Sequence, residues 1–295
     1  MPARSIAPTA PRLFIEDAQI AGYRTSVSVR SYLPSGRKQA LPVIVYLHGG
    51  GFTRGTLDDA ETAATTIAAT TPAWVISVDY PLAPSAPFPL ALEDVYCAVR
   101  WAIANAKAQG ADPRRIGIAG DDAGGNLATA LSAMARDRGD FALRAQALLA
   151  PLLDPSLTRL AEPGTLAGPR AAIDSGALHD AHQVHKDCAR GYRAYLPELA
   201  MRLHPYAAPL ESKRLTDLPP ALVASAQHDL LRHEAEVYAG RLIEAGVPTE
   251  VRRYIGVTHR ALVQHADALR DVAAFFRKWL APESLLRMSD PMPAT

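Results

Sequence analysis

The sequence is short of cysteine: Cys97 and Cys188 are the only two in 295 residues, too few for a disulfide framework or a zinc-ligand spacing. Each falls on an apolar helical stripe, so buried free thiols are expected. Charge of one sign is lacking too, since 31 Lys and Arg against 30 Asp and Glu leave a formal net charge of +1. That balance gives no electrostatic attraction for nucleic acid or an anionic membrane. No apolar run is long enough to span a bilayer, and the N-terminal segment 1–11 is rich in Ala and Pro without the apolar stretch of a secretory signal. These absences lead us to expect a cytoplasmic protein with no membrane insertion and no nucleic-acid partner. Internal repeats and low-complexity segments are absent as well. What is present, 48% hydrophobic and 21% charged residues, can bury a large core over this length.

Strand and helix patterns alternate along most of the chain. Leu13 to Ile20 and Thr25 to Leu33 read as an opening hairpin around Ala21-Gly22. Val43 to Leu47, Trp74 to Val78, the run ending at Gly120, Ala145 to Leu149, and Ala221 to Ala226 read as buried strands, with Glu250 to Ile255 as the last. Helical stripes lie between them, for example Leu92, Val95, Tyr96, Val99 and Ile103. This order predicts an α/β domain spanning 1–295, with a mostly parallel sheet and helices on both faces. The alternation breaks from about 155 to 210, where an insertion carries its own amphipathic helix near His179 to Leu196 and reads as a cap. His179, His182 and His185 in that helix, three residues apart, spread over about a third of its circumference and have no clustered acid or thiol. They read as a solvated face rather than a metal site, and no metal or cofactor is expected.

The most informative stretch is Arg115-Ile-Gly-Ile-Ala-Gly-Asp-Asp-Ala-Gly-Gly-Asn-Leu127, an apolar strand meeting small residues and then a helix stripe of Leu127, Ala130, Leu131 and Met134. Strand, sharp turn and helix with glycines at 120 and 124 match the G-x-S-x-G nucleophile elbow, whose central residue sits strained at the tip. The centre here is Asp122, and the serine is missing. A plain tight turn remains the alternative when the motif stands alone. A second glycine cluster, His48-Gly-Gly-Gly-Phe52, follows a buried strand and leaves backbone N–H groups open to a ligand. The carboxyl ends of the strands thus collect His48 to Gly51, Asp122, Asp229 and His259.

With these motifs, together with Val78-Asp-Tyr-Pro-Leu-Ala-Pro84, Pro205-Tyr-Ala-Ala-Pro-Leu210 and Gly246-Val-Pro248, the chain resembles the hormone-sensitive-lipase family of carboxylesterases from about Val43 to Leu280. The resemblance implies the α/β-hydrolase fold, with Asp122 at the nucleophile position, Asp229 as the triad acid and His259 as the base. It implies oxyanion-hole N–H groups from Gly50, Gly51 and Ala123, with His48, Gly49, Phe52 and Arg260 near the substrate. The chain departs from the family pattern at Asp122 (serine there), Pro81 (Arg), Ser85 (Glu), Leu230 (Pro) and Arg260 (Gly). The family's helical N-terminal lid is largely missing from the pattern, so a more open pocket is expected on that side.

Aspartate changes the chemistry that follows. A serine needs a neutral histidine to take its proton, whereas Asp122 is ionised without help. Two carboxylates facing His259 should raise its pKa and leave a poor base. The expectation is therefore a hydrolase of small esters or related substrates that is weak as an ordinary esterase. The alternatives are general-base elimination or dehydration, attack of Asp122 on saturated carbon, a ligand-binding protein without catalysis, or an inactivated serine-to-aspartate variant. The partner expected is a small-molecule substrate, and a homodimer is left open.

Overall fold

Leu41-Pro-Val-Ile-Val-Tyr-Leu47 offers no polar side chain to solvent, and in the computed structural model it forms the central strand β3 with all seven residues buried. The structure describes residues 11–36, 39–161 and 175–282. Around β3 lie β1 (Leu13–Ala21), β2 (Ser26–Pro34), β4 (Trp74–Asp79), β5 (Ala111–Asp121), β6 (Ala145–Leu149), β7 (Ala221–His228) and β8 (Thr249–Thr258). Their spatial order is β1-β2-β4-β3-β5-β6-β7-β8. β2 runs antiparallel to both β1 and β4, and every other neighbouring pair is parallel. The hairpin therefore closes one edge of the sheet.

Among the described residues the helices are α1 (Glu61–Thr70), α2 (Leu90–Asn105), α3 (Asp122–Arg138), α4 (Ser175–Tyr195), α5 (Arg232–Glu244), the single turn α6 (His259–Leu262) and α7 (Ala266–Trp279). Side chains alternate across a strand, so β3 feeds two cores. Val43, Val45 and Leu47 pack with Leu92, Val95 and Val99 of α2 and with Leu127 and Leu131 of α3. Ile44 and Tyr46 face Ala63 and Ile67 of α1 and Leu269, Val272 and Phe276 of α7. Helices thus cover both faces of a mostly parallel sheet, as the alternation in the sequence required.

Among the described residues, the chain between β6 and β7 forms α4 and two short 3₁₀ turns, Leu199–Leu203 and Pro209–Glu211. Asn126 ties the far end of this region to the elbow, donating to the carbonyls of Leu152 at 2.8 Å and Ala207 at 3.1 Å. The linker glycines and prolines between 162 and 169, residues 1–10, and the tail beyond Pro282 lie outside the described residues. Cys97 corrects one expectation. Its flank of α2, shared with Trp101, is only half-buried, while the stripe of Leu92, Val95 and Val99 takes the inward face. Among the described residues, no helix is long and apolar enough to cross a membrane.

Candidate active site

β5 ends at Asp121 and α3 begins at Asp122 with no intervening loop. So abrupt a reversal needs close contact between strand and helix. A Cβ on Gly124 would lie 2.1 Å from the Leu47 carbonyl oxygen, and one on Gly120 would lie 2.3 Å from that of Gly124. Only glycine fits at either place. The turn forces Asp122 to φ 51°, a left-handed conformation costly for a side chain with a Cβ. Its carboxylate lies at the N-terminus of α3, where the helix dipole favours negative charge.

The strand before the glycine cluster brings a second loop to the same place. Gly50 and Gly51 adopt φ of 118° and 59°, and the turn closes through Thr53 and Arg54 N–H groups that donate to the Gly50 carbonyl. In that conformation the N–H groups of Gly50 and Gly51 both donate to Asp122 Oδ2, each at 2.7 Å. His48 and Phe52 support the loop from behind and do not line the cavity, contrary to their expected place beside substrate. His48 is fully buried, stacked on Tyr80 at 4.3 Å, and donates from Nδ1 to the Gly49 carbonyl. Phe52 is stacked on Tyr195 at 4.1 Å. Their apolar surfaces are spent on packing, which leaves Gly49, Gly50 and Gly51 to face the cavity.

β7 and β8 deliver the remaining groups. Asp229 Oδ1 accepts from the Leu231 N–H at 2.9 Å, and its Oδ2 lies 2.8 Å from His259 Nδ1. His259 Nε2 points the other way, 3.5 Å from Asp122 Oδ1. The imidazole therefore sits between two carboxylates. Burial works against its charge, but Asp229 and then Asp122 outweigh that, and the His259 pKa is raised well above the usual histidine value. Burial also opposes ionisation of Asp122, yet His259 and the Gly50 and Gly51 N–H groups hold its pKa below the ordinary carboxylate value. Both shifts favour an imidazolium–carboxylate pair. Ala123 follows in the first turn of α3 and is fully buried.

Above this constellation lies a cavity of about 470 Å³, whose lining includes Asp121, Asp122, His259, Arg260, Val184 and Cys188. Arg260 is turned onto the carboxylate of Asp187 in α4 at 2.9 Å. Asp121 accepts from the Tyr46 hydroxyl at 2.8 Å, and burial raises its pKa to about 7. Cys188 approaches Asp122 Oδ1, with Sγ at 3.9 Å, and burial pushes its thiol well up, which disfavours the reactive thiolate. The stripe of Val184, Cys188 and Tyr192 gave the burial of Cys188, but nothing local in the sequence gave its neighbour. His179 and His182 are exposed on α4, and His185 is half-buried.

Residues 44–263 match the alpha/beta hydrolase fold family. Carboxylesterase NlhH of Mycobacterium tuberculosis is 36% identical over 257 residues, covering 84% of this chain and 76% of its own length. Among solved structures, a hyperthermophilic esterase from the archaeon Pyrobaculum calidifontis superposes with a TM-score of 0.77 at 33% identity, over 91% of this chain and 87% of that one. A thermostable carboxylesterase from a metagenomic library, EstE1, gives a TM-score of 0.79 at 30% identity, over 93% and 92%.

Proposed function

This chain belongs to the alpha/beta hydrolase fold family and to its hormone-sensitive-lipase-like carboxylesterases, and within that family we propose that Asp122 stands at the nucleophile position and makes it a weak ordinary esterase. In this reading Asp229 orients His259, and Gly50, Gly51 and Ala123 form the oxyanion hole. Residues 155–210 are its cap. The observation that carries the reading is the pair of 2.7 Å hydrogen bonds from Gly50 and Gly51 to Asp122 Oδ2. Donors of this kind do their work by meeting the oxygen that becomes negative in the transition state, and here a resident carboxylate already holds them. The carbonyl oxygen of an ester must displace an anion to enter. His259, held as imidazolium between Asp122 and Asp229, cannot take a proton. Both requirements of serine-type acyl transfer are thereby impaired.

The test is hydrolysis of 4-nitrophenyl butyrate by the chain itself. Turnover far below the common enzyme range of roughly 1 to 1000 per second is expected. Turnover within that range, abolished by Asp122→Ala, overturns the reading.

The free oxygen of Asp122 favours a second reading. Oδ1 faces His259 Nε2 while Oδ2 rests on Gly50 and Gly51, and Asp122 lines the cavity, an arrangement suited to attack on a saturated carbon. Oδ1 would form a bond to that carbon as the leaving group departs with its electron pair, giving an ester of Asp122 whose carbonyl oxygen is Oδ2. Alkylation removes the negative charge of Asp122, so the His259 pKa falls and the imidazolium gives its proton to the departing group or to solvent, leaving a general base. His259 would then deprotonate water for attack on Asp122 Cγ, the N–H groups of Gly50 and Gly51 would hold the resulting oxyanion, and His259 would return the proton to the departing oxygen as the intermediate collapses to the Asp122 carboxyl group and the alcohol. Intact-mass measurement after incubation of His259→Ala with styrene oxide reads this directly. An adduct mapped to Asp122 supports it, and an unmodified chain overturns it.

A further inference from the structure

The cap helix α4 touches both halves of the site through one short segment. A Cβ on Gly191 would lie 2.0 Å from the Gly51 carbonyl oxygen, so helix and oxyanion loop are in direct backbone contact. Tyr192 and Tyr195 pack against Phe52 of that loop. At the mouth of the cavity, the carboxylate of Asp187 gathers three arginines from three places in the chain. Its Oδ2 lies 3.5 Å from Arg54 Nη2 and accepts from Arg260 Nη2 at 2.9 Å. Its Oδ1 accepts from Arg190, one turn along α4, and from Gln183 at 3.0 Å. The Asp187 side chain is 11% exposed, while the three arginines are more than half exposed.

Two of these arginines are placed where they matter. Arg54 belongs to the turn that presents the hydrogen-bond donors: its N–H donates to the Gly50 carbonyl, and a Cβ on Gly50 would meet the Arg54 carbonyl oxygen at 2.2 Å. Arg260 directly follows His259, where the family resemblance leads one to expect glycine. Asp180 lies 3.7 Å from Arg260 Nε, so it adds a weaker second anchor on the same helix. The loop carrying the oxyanion donors and the turn carrying the imidazole share no direct link of their own through these side chains. Asp187 supplies one.

We infer that Asp187 is a positioning residue, an ionic latch that uses Arg54 and Arg260 to hold the Gly50–Gly51 donors and His259 in register beneath the cap helix. The inference rests on the proposed roles of Gly50, Gly51 and His259. The latch acts through its arginines and touches no reacting atom. Removing it should let the two loops drift apart and α4 loosen over them, while the walls supplied by the strand ends at Asp121, Leu149 and Ala150 stay in place. Loss therefore falls on the rate of chemistry more than on binding, since a displacement of about 1 Å can cost as much as a hundredfold in rate. Because the guanidinium groups are exposed, the latch should also be sensitive to salt, which shortens the screening length from about 10 Å at 0.1 M to about 3 Å at 1 M.

The test places Asp187→Asn in the Asp122→Ser background, with 4-nitrophenyl butyrate as substrate. We expect kcat to fall at least tenfold with KM changed less than threefold, Asp187→Glu to recover most of the loss, and Arg260→Gly to produce a smaller fall. Raising salt from 0.1 to 1 M should lower kcat at least threefold with Asp187 present, and by less than 1.5-fold without it. An unchanged kcat, or the same salt response in both proteins, overturns the latch. A parallel measurement uses the chain with Asp122 in place: the rate of Cys188 alkylation by iodoacetamide, read on its own peptide. Asp187→Asn should raise that rate at least tenfold, because α4 carries both residues over the cavity. A rate within twofold of the parent overturns the latch. An inert Asp122→Ser protein counts against the proposed function instead, and the alkylation rate still decides the latch.

Discussion

The pairing of Asp122 with His259 should be visible in how stability depends on pH, and Asp122→Asn isolates it. At 3.5 Å two unit charges attract by about 5 kcal/mol if the effective dielectric is roughly 20. Burial opposes the charge on both partners, and that penalty cancels much of the attraction, leaving about 1–3 kcal/mol. His259 has a raised folded pKa, so its contribution is complete below the unfolded value of about 6.5 and is lost as pH rises through the folded one. Asp122 has a lowered folded pKa, so its contribution is present above about 3.9 and is lost as pH falls through the folded value. The pair stabilises most between those limits. Asp121, held at about 7 mainly by burial, adds its own loss on going from acid to neutral pH in both proteins. Urea unfolding at pH 5.5 and 9.5 gives the comparison. Between those pH values the parent should lose at least about 1 kcal/mol more stability than Asp122→Asn, the scale of a single-unit pKa shift. Equal losses in the two proteins would refute the pairing.

Two further substitutions probe the frame of the site. Gly124→Ala drives a Cβ to 2.1 Å from the Leu47 carbonyl oxygen, a strand backbone unable to yield. It should cost at least about 3 kcal/mol, which a thermal melt would register as a fall of roughly 6–12 °C for a protein of this size; a melt unchanged within 2 °C would show that the elbow is looser than described. Asn126→Ala strips the side-chain donor from the buried carbonyls of Leu152 and Ala207. About 2–4 kcal/mol should be lost in urea unfolding, with a loss under about 1 kcal/mol contradicting the clamp.

What the sequence made legible was the pattern that depends on neighbours in the chain. The apolar run of β3, the alternation in β1 and β2, and Ala145–Leu149 as a strand all follow from local periodicity, and the structure returns the last of these with unchanged bounds. The elbow was legible because its glycines answer a contact a few residues away, between Gly120 and Gly124. Placement of Asp122, Asp229 and His259 together followed from strand order in a parallel sheet. The rest depends on contacts remote in sequence. Asp122 Oδ2 reaches Gly50 and Gly51 across 72 and 71 residues, and no pattern in either motif says that the carboxylate turns toward the donors. His48 and Phe52 read as ligand-facing because they border the glycines, yet Tyr80 and Tyr195 draw their rings inward. Cys188 and Asp187 took on meaning only when α4 was laid over the cavity.

In the proposed reading the site holds every group that ester hydrolysis needs, but the Asp122 carboxylate occupies the oxyanion donors and keeps His259 charged. Asp122→Ser probes both effects at once, because serine frees Gly50 and Gly51, removes one of the two carboxylates beside His259, and leaves the glycines of the turn untouched. Initial rates on 4-nitrophenyl acetate, measured for the chain and the variant under identical conditions, should rise at least about tenfold on substitution, equivalent to about 1.4 kcal/mol of transition-state stabilisation, and His259→Ala in the variant should remove the gain. A variant that keeps the parent's circular dichroism spectrum yet stays inert on acetyl to octanoyl esters would show that more than the Asp122 carboxylate stands between this site and ester hydrolysis.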